Sequence, residues 1–580
     1  MLTAMSKVKL ESKQDLPANP SLATNSANTV PLELPPSDSL DLNEYNAIRE
    51  GKAIVLTPKK DEVFYNPIQQ FNRDLSIMGI TAWSELYQHK YKEGIKEVKR
   101  RKTIAANSSN DESSSNNSYI KILEALSATG LRAIRYAHEI PQISQVVAND
   151  LLPAAVESIN RNIEYNQVET KAKSNLGDAI QVMNSPENKS KFHVVDLDPY
   201  GTASPFLDGA IQLIKDDGLL VVTCTDAGVL AGNGFPEKCF ALYGGHNFGN
   251  NPMGTDANHE AGLRLILGLV ARSAAKYKKS IEPLLSLLID FYMRCFIRIR
   301  TSPLEVKQLA SQNMQVFHCV GCGHRIPQPL GRTEKGKHQV PRLDGKLLKS
   351  LDNNGNCKYC SSVINIAGPM WEGQLHNHEF IEEVLRIRDE ASDKQFGTRE
   401  RIKGMLSLAK SELNDVPFYI NLNQLLSYFK SPPISLDTFS KVVGNLGYRV
   451  SLTHAKRNSI KTDCPWEIIL KIFQDWMVQS NKEQLSVLKG KASLTEKDEL
   501  KLAIWKQDVN VHPNLKEGMI GYKVLKWLND NTEQFQDTKI DYDGVNPVSE
   551  GIAKLRKLKM TRYQENPTKN WGPKSRPTNQ

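Results

Sequence analysis

Short apolar runs alternate with helix-like segments through the first half of the chain. Most of the runs are rich in Val, Ile and Leu, which is typical of strands buried on both faces. They predict five strands: Tyr119–Leu126, Val146–Asp150, Asn175–Ala179, Phe192–Leu197 and Gly218–Asp226. Helices are predicted after Gly130, over Pro153–Asn166 and over Pro205–Ile214. This alternation predicts an α/β fold with a doubly wound parallel sheet, opened by a Rossmann-type strand, turn and helix.

Aspartates stand at the ends of three predicted strands. The small-residue turn at Ser127–Gly130 lets a cofactor approach the backbone, although it has one glycine and not a full G-x-G-x-x-G. Asp150, about 20 residues after that turn, can accept hydrogen bonds from both ribose hydroxyls, and Asp178 can accept one from an adenine amine. Each aspartate alone is more often a turn residue. Together, in this order, they predict an S-adenosylmethionine site.

The stretch Phe192–Gly201 ends in Asp-Leu-Asp-Pro-Tyr-Gly. Asp198 can accept a hydrogen bond from a substrate N–H, Pro199 stiffens the turn and offers its carbonyl, and Tyr200 provides a flat ring for a planar base. Two acceptors beside an aromatic face suit an exocyclic amine. Taken alone, the stretch is equally compatible with an ordinary Asp-Pro turn.

Length and charge indicate several domains and a nucleic-acid partner. The 580 residues exceed what one core accommodates, so two or three domains are expected. The net charge of +9 is moderate, but the basic residues cluster, and clusters attract phosphate backbones. No apolar run reaches the roughly 18 residues that span a bilayer, so we expect a soluble protein without a membrane span.

Two polar segments flank or interrupt the predicted methyltransferase domain, which we place at residues 46–315. Residues 1–45 are expected to be disordered and make a poor mitochondrial transit peptide, although Met5 offers a second start. Residues 88–118 are predicted to be a basic, low-complexity insertion, either an RNA-facing loop or a solvated one. Its Lys99-Arg-Arg-Lys favours the nucleus, with the mitochondrion as a second expected location.

Four cysteines in the second half form two close pairs, Cys319-x-x-Cys322 and Cys357-x-x-Cys360. This spacing predicts a four-thiolate zinc site in a reducing compartment, although the pairs lie farther apart than in the usual zinc ribbon. A structural Zn²⁺ is expected, since four thiolates leave no position for water. His318 and His324 are alternative ligands, but loop histidines with other partners are the more common case.

The segment after the cysteines predicts an RNA-binding region, and we assign residues 316–480 to this second, α+β domain. Predicted helices at Leu422–Phe429 and Ser435–Leu446 precede a strand at Tyr448 and a basic hairpin, which is a winged-helix arrangement. Residues 481–580 are interpreted as a polar, basic tail that binds RNA or only adds solubility.

With these motifs the chain resembles the tRNA guanosine-26 N2,N2-dimethyltransferase family. The resemblance covers roughly residues 48–475, and the N-terminal extension, the insertion and the tail fall outside the family pattern. It rests on Phe64-Tyr-Asn-Pro with Asn72-Arg-Asp, Ala125-Leu-Ser-Ala-Thr-Gly-Leu-Arg, Asn149-Asp, Asp196-Leu-Asp-Pro-Tyr-Gly, Thr225-Asp, His259-Glu-Ala-Gly-Leu-Arg and Ile460-Lys-Thr-Asp.

The resemblance implies a class I methyltransferase that transfers methyl groups from S-adenosylmethionine to N2 of guanosine 26 in tRNA. The products would be N2-methylguanosine and then N2,N2-dimethylguanosine. It implies a tRNA substrate and no obligate protein partner. The residue roles that it implies are Arg73 and Arg132 for the cofactor carboxylate, Asp150 for the ribose, Asp178 with Ala179 for the adenine, Asp198 for catalysis and Tyr200 for stacking on the flipped guanine. Two alternatives stay open: an exocyclic-amine methyltransferase acting on another RNA or DNA base, and a non-catalytic RNA-binding or RNA-folding protein.

Overall fold

The structure is a computed structural model that describes residues 44–59, 65–88, 118–232, 234–250, 254–334, 336–392 and 394–557. Outside these residues lie nearly all of the N-terminal extension and of the insertion at 88–118, and the end of the tail. The disorder expected of the extension therefore concerns residues outside the described ranges. Within the described ranges, none of the helices combines the length and hydrophobicity that a membrane crossing requires.

A seven-stranded sheet forms the centre of the first half, with the order β5-β4-β3-β6-β7-β9-β8. Its first five strands are parallel, as predicted, whereas β9 is antiparallel to both β7 and β8. The seven strands are β3 (Ile120–Glu124), β4 (Ile143–Asp150), β5 (Ala172–Leu176), β6 (Phe192–Leu197), β7 (Ile214–Cys224), β8 (Lys279–Ile289) and β9 (Tyr292–Thr301). The third predicted strand therefore ends before Asp178, which begins a helix instead.

Helices cover both faces of this sheet and bury two apolar cores. They are α1 (Gln70–Trp83), α2 (Leu131–Glu139), α3 (Pro153–Tyr165), α4 (Ala179–Asn184), α5 (Leu207–Leu213), α6 (Ala227–Leu230), α7 (Pro236–Tyr243) and α8 (Gly254–Ala275). A hairpin of β1 (Tyr45–Glu50) and β2 (Ala53–Pro58) packs on α3, where the side chains of Asn162 and Asn166 accept hydrogen bonds from the backbone of Leu56 and Ile54 at 2.9 Å each.

Helix α1 is unusual because it is buried on every side. All residues from Phe71 to Trp83 are buried, including the polar residues Asn72, Arg73, Asp74 and Ser76. The sequence of this helix has no clean apolar period, as expected of an element that supplies both core and polar side chains. The helix therefore brings hydrogen-bonding groups beneath the sheet end where the site lies.

The second half begins with β10 (Asn313–Cys319), which pairs with β11 (Arg325–Pro329) and β14 (Ile364–Trp371). Side chains of β10 and β14 join the core that contains α8, and those of α11 (His378–Glu390) and α12 (Arg399–Ser411) join the core that contains α1. A domain division at residue 315 therefore cuts through a strand, and the following residues complete the first domain. The remaining short elements here are α9 (Pro303–Val306), β12 (Arg332–Glu334), β13 (Lys337–Gln339) and α10 (Gly345–Lys349).

A third core holds the four cysteines and the C-terminal helices. Its elements are β15 (Ile420–Asn421), α13 (Leu422–Tyr428), α14 (Leu436–Asn445), β16 (Val450–Leu452), β17 (Ser459–Thr462), α15 (Trp466–Lys489), α16 (Glu496–Gln507), α17 (Ile520–Asp530) and α18 (Pro547–Lys557). The division at residue 480 falls inside α15, and Trp505, Leu525 and Ile552 are buried. Residues 481–557 are thus folded, and interpreting them as a tail was wrong for this part.

The two halves meet along β8, the outermost strand of the central sheet. The backbone N–H of Leu288 donates to His454 Nε2 at 3.1 Å, and that of Ser286 donates to His376 Nδ1 at 3.4 Å. The N–H of Asn377 donates to the carbonyl of Leu284 at 2.9 Å. Side chains and one backbone amide of the second half therefore take the place of a further strand.

Candidate active site

Asp198 stands directly after β6, at the sheet end where the neighbouring parallel strands also terminate. The chain then turns sharply at Gly201, which has a φ of +81° that few residues other than glycine adopt. Thr225, just after the neighbouring β7, holds this turn: the N–H of Gly201 donates to its Oγ1 at 2.7 Å, and its own N–H donates to the Gly201 carbonyl at 2.9 Å. The turn thus keeps Asp198, Pro199 and Tyr200 at a fixed edge of the sheet.

Two side chains hold the carboxylate of Asp198 through the same oxygen. Arg132 Nη2 makes a short ion pair with Oδ2, and Asn72 Nδ2 donates to Oδ2 at 3.4 Å. Arg132 and Asn72 are buried, whereas the side chain of Asp198 is 22% exposed. The catalytic candidate is therefore fixed from below and open toward solvent.

A second acid, Asp196, lies wholly buried two residues earlier on the same strand. Its Oδ1 accepts from Arg294 Nη1 at 2.8 Å, and its Oδ2 accepts from the hydroxyl of Tyr136 at 2.5 Å and from Arg132 Nη1 at 3.4 Å. Burial alone would raise the pKa of Asp196, but the guanidinium groups of Arg294 and Arg132 hold it below its usual value. Asp196 is thus an anion that keeps the arginines in place beneath Asp198.

Glu124, at the end of β3, completes the buried charge cluster. Its Oε1 lies 3.6 Å from Nε of Arg132, and Ser127 of the small-residue turn makes a short hydrogen bond to its Oε2. Burial raises the pKa of Glu124 to about 8, against the attraction of Arg132 and with added repulsion from Asp196 and Asp198. At neutral pH this carboxyl is therefore mainly protonated, which limits the negative charge around Asp198.

The ring of Tyr200 remains accessible beside this cluster, with 43% of its surface exposed, while Pro199 is buried. Burial of the hydroxyl raises the pKa of Tyr200, and the negative charges of Asp198 and Asp150 raise it further. The phenol thus stays neutral. The predicted stacking of this ring on a base stays a prediction.

The predicted cofactor-binding aspartates lie along the same sheet end. Asp150 accepts the N–H of Ala128 at Oδ2 (2.9 Å) and the N–H of Leu152 at Oδ1 (3.0 Å), so its carboxylate bridges the small-residue turn. Asp178 begins α4 and accepts from Ile180 N and Gln181 N through Oδ1 alone, at 2.7 and 3.1 Å. Both carboxylates retain acceptor capacity for a ligand.

Apolar side chains next to these two aspartates are exposed to an unusual degree for a protein surface. They are Leu151 (53%), Leu152 (50%), Leu176 (56%) and Ile180 (39%). Such side chains beside hydrogen-bond acceptors suit a flat, partly apolar group such as adenine. Ala179, the first residue of α4, is buried. The carboxylate acceptors and the apolar surface therefore fit an adenosyl group.

The two arginines expected to hold the cofactor carboxylate differ in their contacts. Arg73 donates from Nε and Nη2 to Glu50 at 2.6 and 2.5 Å, and its Nη1 makes no hydrogen bond within the described residues. Although burial opposes it, Arg73, joined by Arg135, lowers the pKa of Glu50 to about 2. Arg132, by contrast, has all three nitrogens directed at Glu124, Asp196 or Asp198. Arg73 is therefore freer to meet an incoming carboxylate.

The four predicted metal ligands do come together. Their sulfur atoms lie within 4.8 Å of one another, with 3.4 Å between Cys319 and Cys360 and 3.7 Å between Cys322 and Cys357. A tetrahedral Zn²⁺ with Zn–S bonds of about 2.3 Å places thiolates about 3.8 Å apart, so the geometry fits. His318 hydrogen-bonds to the Phe248 carbonyl at 3.2 Å, and His324 stacks on Trp466, so both histidines have other partners.

A second group, His376, Glu412 and His454, also has the composition of a metal site. His454 accepts from Leu288 at Nε2, so its hydrogen is on Nδ1, which donates to Glu412 Oε1 at 2.5 Å. Lys461 Nζ lies 3.1 Å from Glu412 Oε2. An ammonium and an N–H already occupy the carboxylate, so this group is an ion-pair network and not a cation site.

The fold is shared with a solved structure. The complex of Trm1 from Pyrococcus horikoshii with S-adenosyl-L-methionine superposes with a TM-score of 0.55 at 24% sequence identity, covering 73% of this chain and 98% of that one. The chain thus has the same α/β fold as that protein.

The sequence comparisons are more specific. The profile of the N2,N2-dimethylguanosine tRNA methyltransferase family matches residues 44–474. The mitochondrial tRNA (guanine(26)-N(2))-dimethyltransferase of Saccharomyces cerevisiae is 46% identical in an alignment of 565 residues that covers 93% of this chain and 93% of that one. The enzymes of that name from Schizosaccharomyces pombe and Drosophila melanogaster are 40% and 35% identical over 92% of this chain, and over 92% and 87% of their own. The chain belongs to this family.

Sequence reasoning quoted Asn72 and Asp196 in motifs but gave them no role, and it missed the other buried groups that support the site, namely Ser76, Glu124 and Arg294. A signal was present, because Arg294 is the one charged residue within Tyr292–Ile297, and Asp196 interrupts an apolar run. Their partners could not be identified, since Arg294 and Asp196 are 98 residues apart in the chain.

Proposed function

We propose that this protein methylates the exocyclic N2 of guanosine 26 in tRNA, with S-adenosylmethionine as donor, giving N2-methyl- and then N2,N2-dimethylguanosine. Family membership supports the reaction, and the names of relatives with 33–46% identity give the substrate. The observation that carries the proposal for this chain is the pairing of a fixed, partly exposed Asp198 with the accessible ring of Tyr200.

S-adenosylmethionine supplies a methyl group activated by the adjacent sulfonium. In our proposal Asp150 would hold the ribose, and Asp178 with Ala179 would hold the adenine, with the exposed leucines supplying apolar contacts. Arg73 offers Nη1 to the cofactor carboxylate. Arg132 is also proposed, by resemblance, to bind the cofactor carboxylate. Because Arg132 contacts three carboxylates of the protein, it would in addition neutralise the charge of Asp198.

At the base, the chain's task is orientation. The lone pair of guanine N2 is delocalised into the ring, so Asp198 and the Pro199 carbonyl would accept the amine hydrogens and turn the lone pair out of the ring plane. Asp198 would then take the proton released. Tyr200 would stack on the guanine, which must leave the tRNA stack to reach this pocket.

The second half would bind the tRNA body. The four thiolates would hold a structural Zn²⁺ that fixes the two knuckles. Helices α13 and α14 stand between β15 and β16 of the three-stranded sheet β15-β17-β16, and this arrangement supports a winged-helix-like module. Its hairpin loop is partly committed to packing, since Thr453 and His454 are buried, which leaves the exposed Arg457 as its basic contact.

Location in both the nucleus and the mitochondrion is also proposed. The nuclear part rests on Lys99-Arg-Arg-Lys, which lies outside the described residues. The mitochondrial part is supported by the name of the Saccharomyces cerevisiae relative.

The test is incubation of the protein with labelled S-adenosylmethionine and unmodified tRNA, followed by nucleoside analysis by mass. Wild type and the control Asp530→Ala, at an exposed position of α17, should form N2,N2-dimethylguanosine, and Asp198→Ala should not. Labelling of adenine or of DNA would favour the other exocyclic-amine reaction. Cofactor binding without turnover would favour an RNA-binding protein.

A further inference from the structure

The carboxylate of Asp198 uses its two oxygens unequally. Both Arg132 and Asn72 contact Oδ2, while Oδ1 accepts no hydrogen bond from the part of the chain that the structure describes. One oxygen is therefore held by the protein and the other is left for a ligand.

Asn72 is itself fixed. It is fully buried in α1, and its Nδ2 also lies 3.0 Å from Gln69 Oε1 and 3.5 Å from Thr223 Oγ1. The hydroxyl of Ser76 donates to the Asn72 backbone carbonyl at 2.6 Å and lies 3.5 Å from Asn72 Oδ1. This environment determines the orientation of the amide, because the reversed amide would place its oxygen against Asp198.

We propose that Asn72 is a positioning residue for Asp198: with Arg132 it holds Oδ2, so that Oδ1 is the Asp198 oxygen that accepts the guanine amine. The inference rests on the function proposed above. The terminal torsion of an aspartate side chain is soft, so one donor leaves the carboxylate free to rotate. A second donor from another helix removes that freedom and fixes the direction of the remaining acceptor.

The second methyl transfer should depend on this arrangement more than the first. An unmodified amine has two hydrogens, and either one can meet Oδ1. After one transfer a single N–H remains, so the acceptor must lie in one direction for the lone pair to face the methyl group. Loss of Asn72 should therefore reduce dimethylation more than monomethylation.

The test compares Asn72→Ala and Asn72→Asp with Thr81→Val, a control on the same helix. Thr81 is buried, and its hydroxyl donates to the Ile77 carbonyl at 2.8 Å. Rates of the first and second transfers are measured on unmodified tRNA under single turnover, with thermal unfolding in parallel. We expect Asn72→Ala to slow the second transfer about tenfold more than the first, and Thr81→Val to match wild type.

Asn72→Asp provides the readout that a structural role would not change. A second carboxylate beside Asp198 disfavours its ionised form, so the acidic limb of the pH–rate profile should move up by about one unit. The other charged or titratable groups near Asp198 are Arg132, Glu124, Asp196, Arg294, Tyr200 and Tyr292.

An unchanged product ratio in Asn72→Ala, or an unchanged acidic limb in a folded Asn72→Asp, would overturn the inference. If Asn72→Ala does not fold, the pH–rate profile of the nearly isosteric Asn72→Asp alone tests the inference. If Asn72→Asp does not fold either, Asn72 serves stability, and the inference is also overturned. Wild-type protein that forms no N2-methylated guanosine would instead refute the proposed function.

Discussion

The ammonium group of Lys461 lies 3.3 Å from Oε2 of Glu260 and so joins the two halves of the chain. Lys461 belongs to the Ile-Lys-Thr-Asp motif of β17, and Glu260 to the His-Glu-Ala-Gly-Leu-Arg motif of α8. The same ammonium lies 3.1 Å from Glu412 Oε2, and Glu260 also pairs with Arg264 at 2.9 Å. Two motifs that are distant in sequence thus act as one buried ion-pair network.

Replacing Lys461 by methionine should destabilise the protein strongly. The substitution leaves Glu260 with one cationic partner and Glu412 without Lys461, and an uncompensated buried charge costs about 3–5 kcal/mol. Urea unfolding of Lys461→Met, compared with Lys482→Met at an exposed position of α15, measures this cost. Equal midpoints for the two variants would contradict the importance of the network.

The contact of His376 with β8 should make stability depend on pH. Burial, with repulsion from His454 and Lys461, lowers the pKa of His376 to about 3 against the attraction of Glu412. Between pH 6.5 and about 3 the unfolded chain binds a proton that the folded chain does not, so stability should fall as the pH falls through this window.

His376→Asn keeps an acceptor near the N–H of Ser286 but cannot titrate. The variant should therefore lose less stability on acidification than wild type, by about 1.4 kcal/mol for each pH unit across the window. Thermal unfolding at several pH values checks this, with the exposed His378→Asn as control. Parallel curves for His376→Asn and wild type would refute it.

Zinc should be bound by the cysteine cluster and by no other cysteine. Cys357→Ser should lower the zinc content from about one ion per chain to none and lower the melting temperature, because the third core packs around the cluster. Cys464→Ser is the matched control, since Cys464 is buried in the same core and stands outside the cluster. Metal analysis of the purified proteins decides, and wild type without zinc would disprove the site.

Asp150→Asn should weaken cofactor binding without unfolding the protein. The asparagine keeps one acceptor oxygen for the turn but loses the negative charge and one acceptor for the ribose. This loss should weaken the affinity for S-adenosylmethionine about 10- to 100-fold. Titration calorimetry with S-adenosylmethionine, against Glu157→Gln at an exposed position of α3, measures the difference. An unchanged dissociation constant would place the ribose elsewhere.

The features that the sequence predicted correctly are local ones. Four of the five parallel strands follow from their apolar runs, and each Cys-x-x-Cys pair brings two thiols together within a few residues. The position of Asp198 follows from the strand before it. Such signals depend on neighbours along the chain, so they can be found without the fold.

The features that the sequence could not predict depend on partners that are distant along the chain, or on apolar residues that are sparse among polar ones. His454 contacts Leu288 across 166 residues, and nothing near either residue indicates the other. In residues 481–557 the few apolar side chains, such as Trp505 and Ile552, are diluted by polar ones. Their low density suggested a tail, although their spacing suffices for helices that pack on a core formed elsewhere.

The cover over β8 has a consequence for solubility. A strand at the margin of a sheet offers unpaired amides that recruit strands from other molecules. Here His376, Asn377 and His454 occupy that margin. A fragment ending at residue 315 would expose it and lack α11 and α12, so it should aggregate. The second half therefore protects the methyltransferase half from self-association, independently of any role in binding RNA.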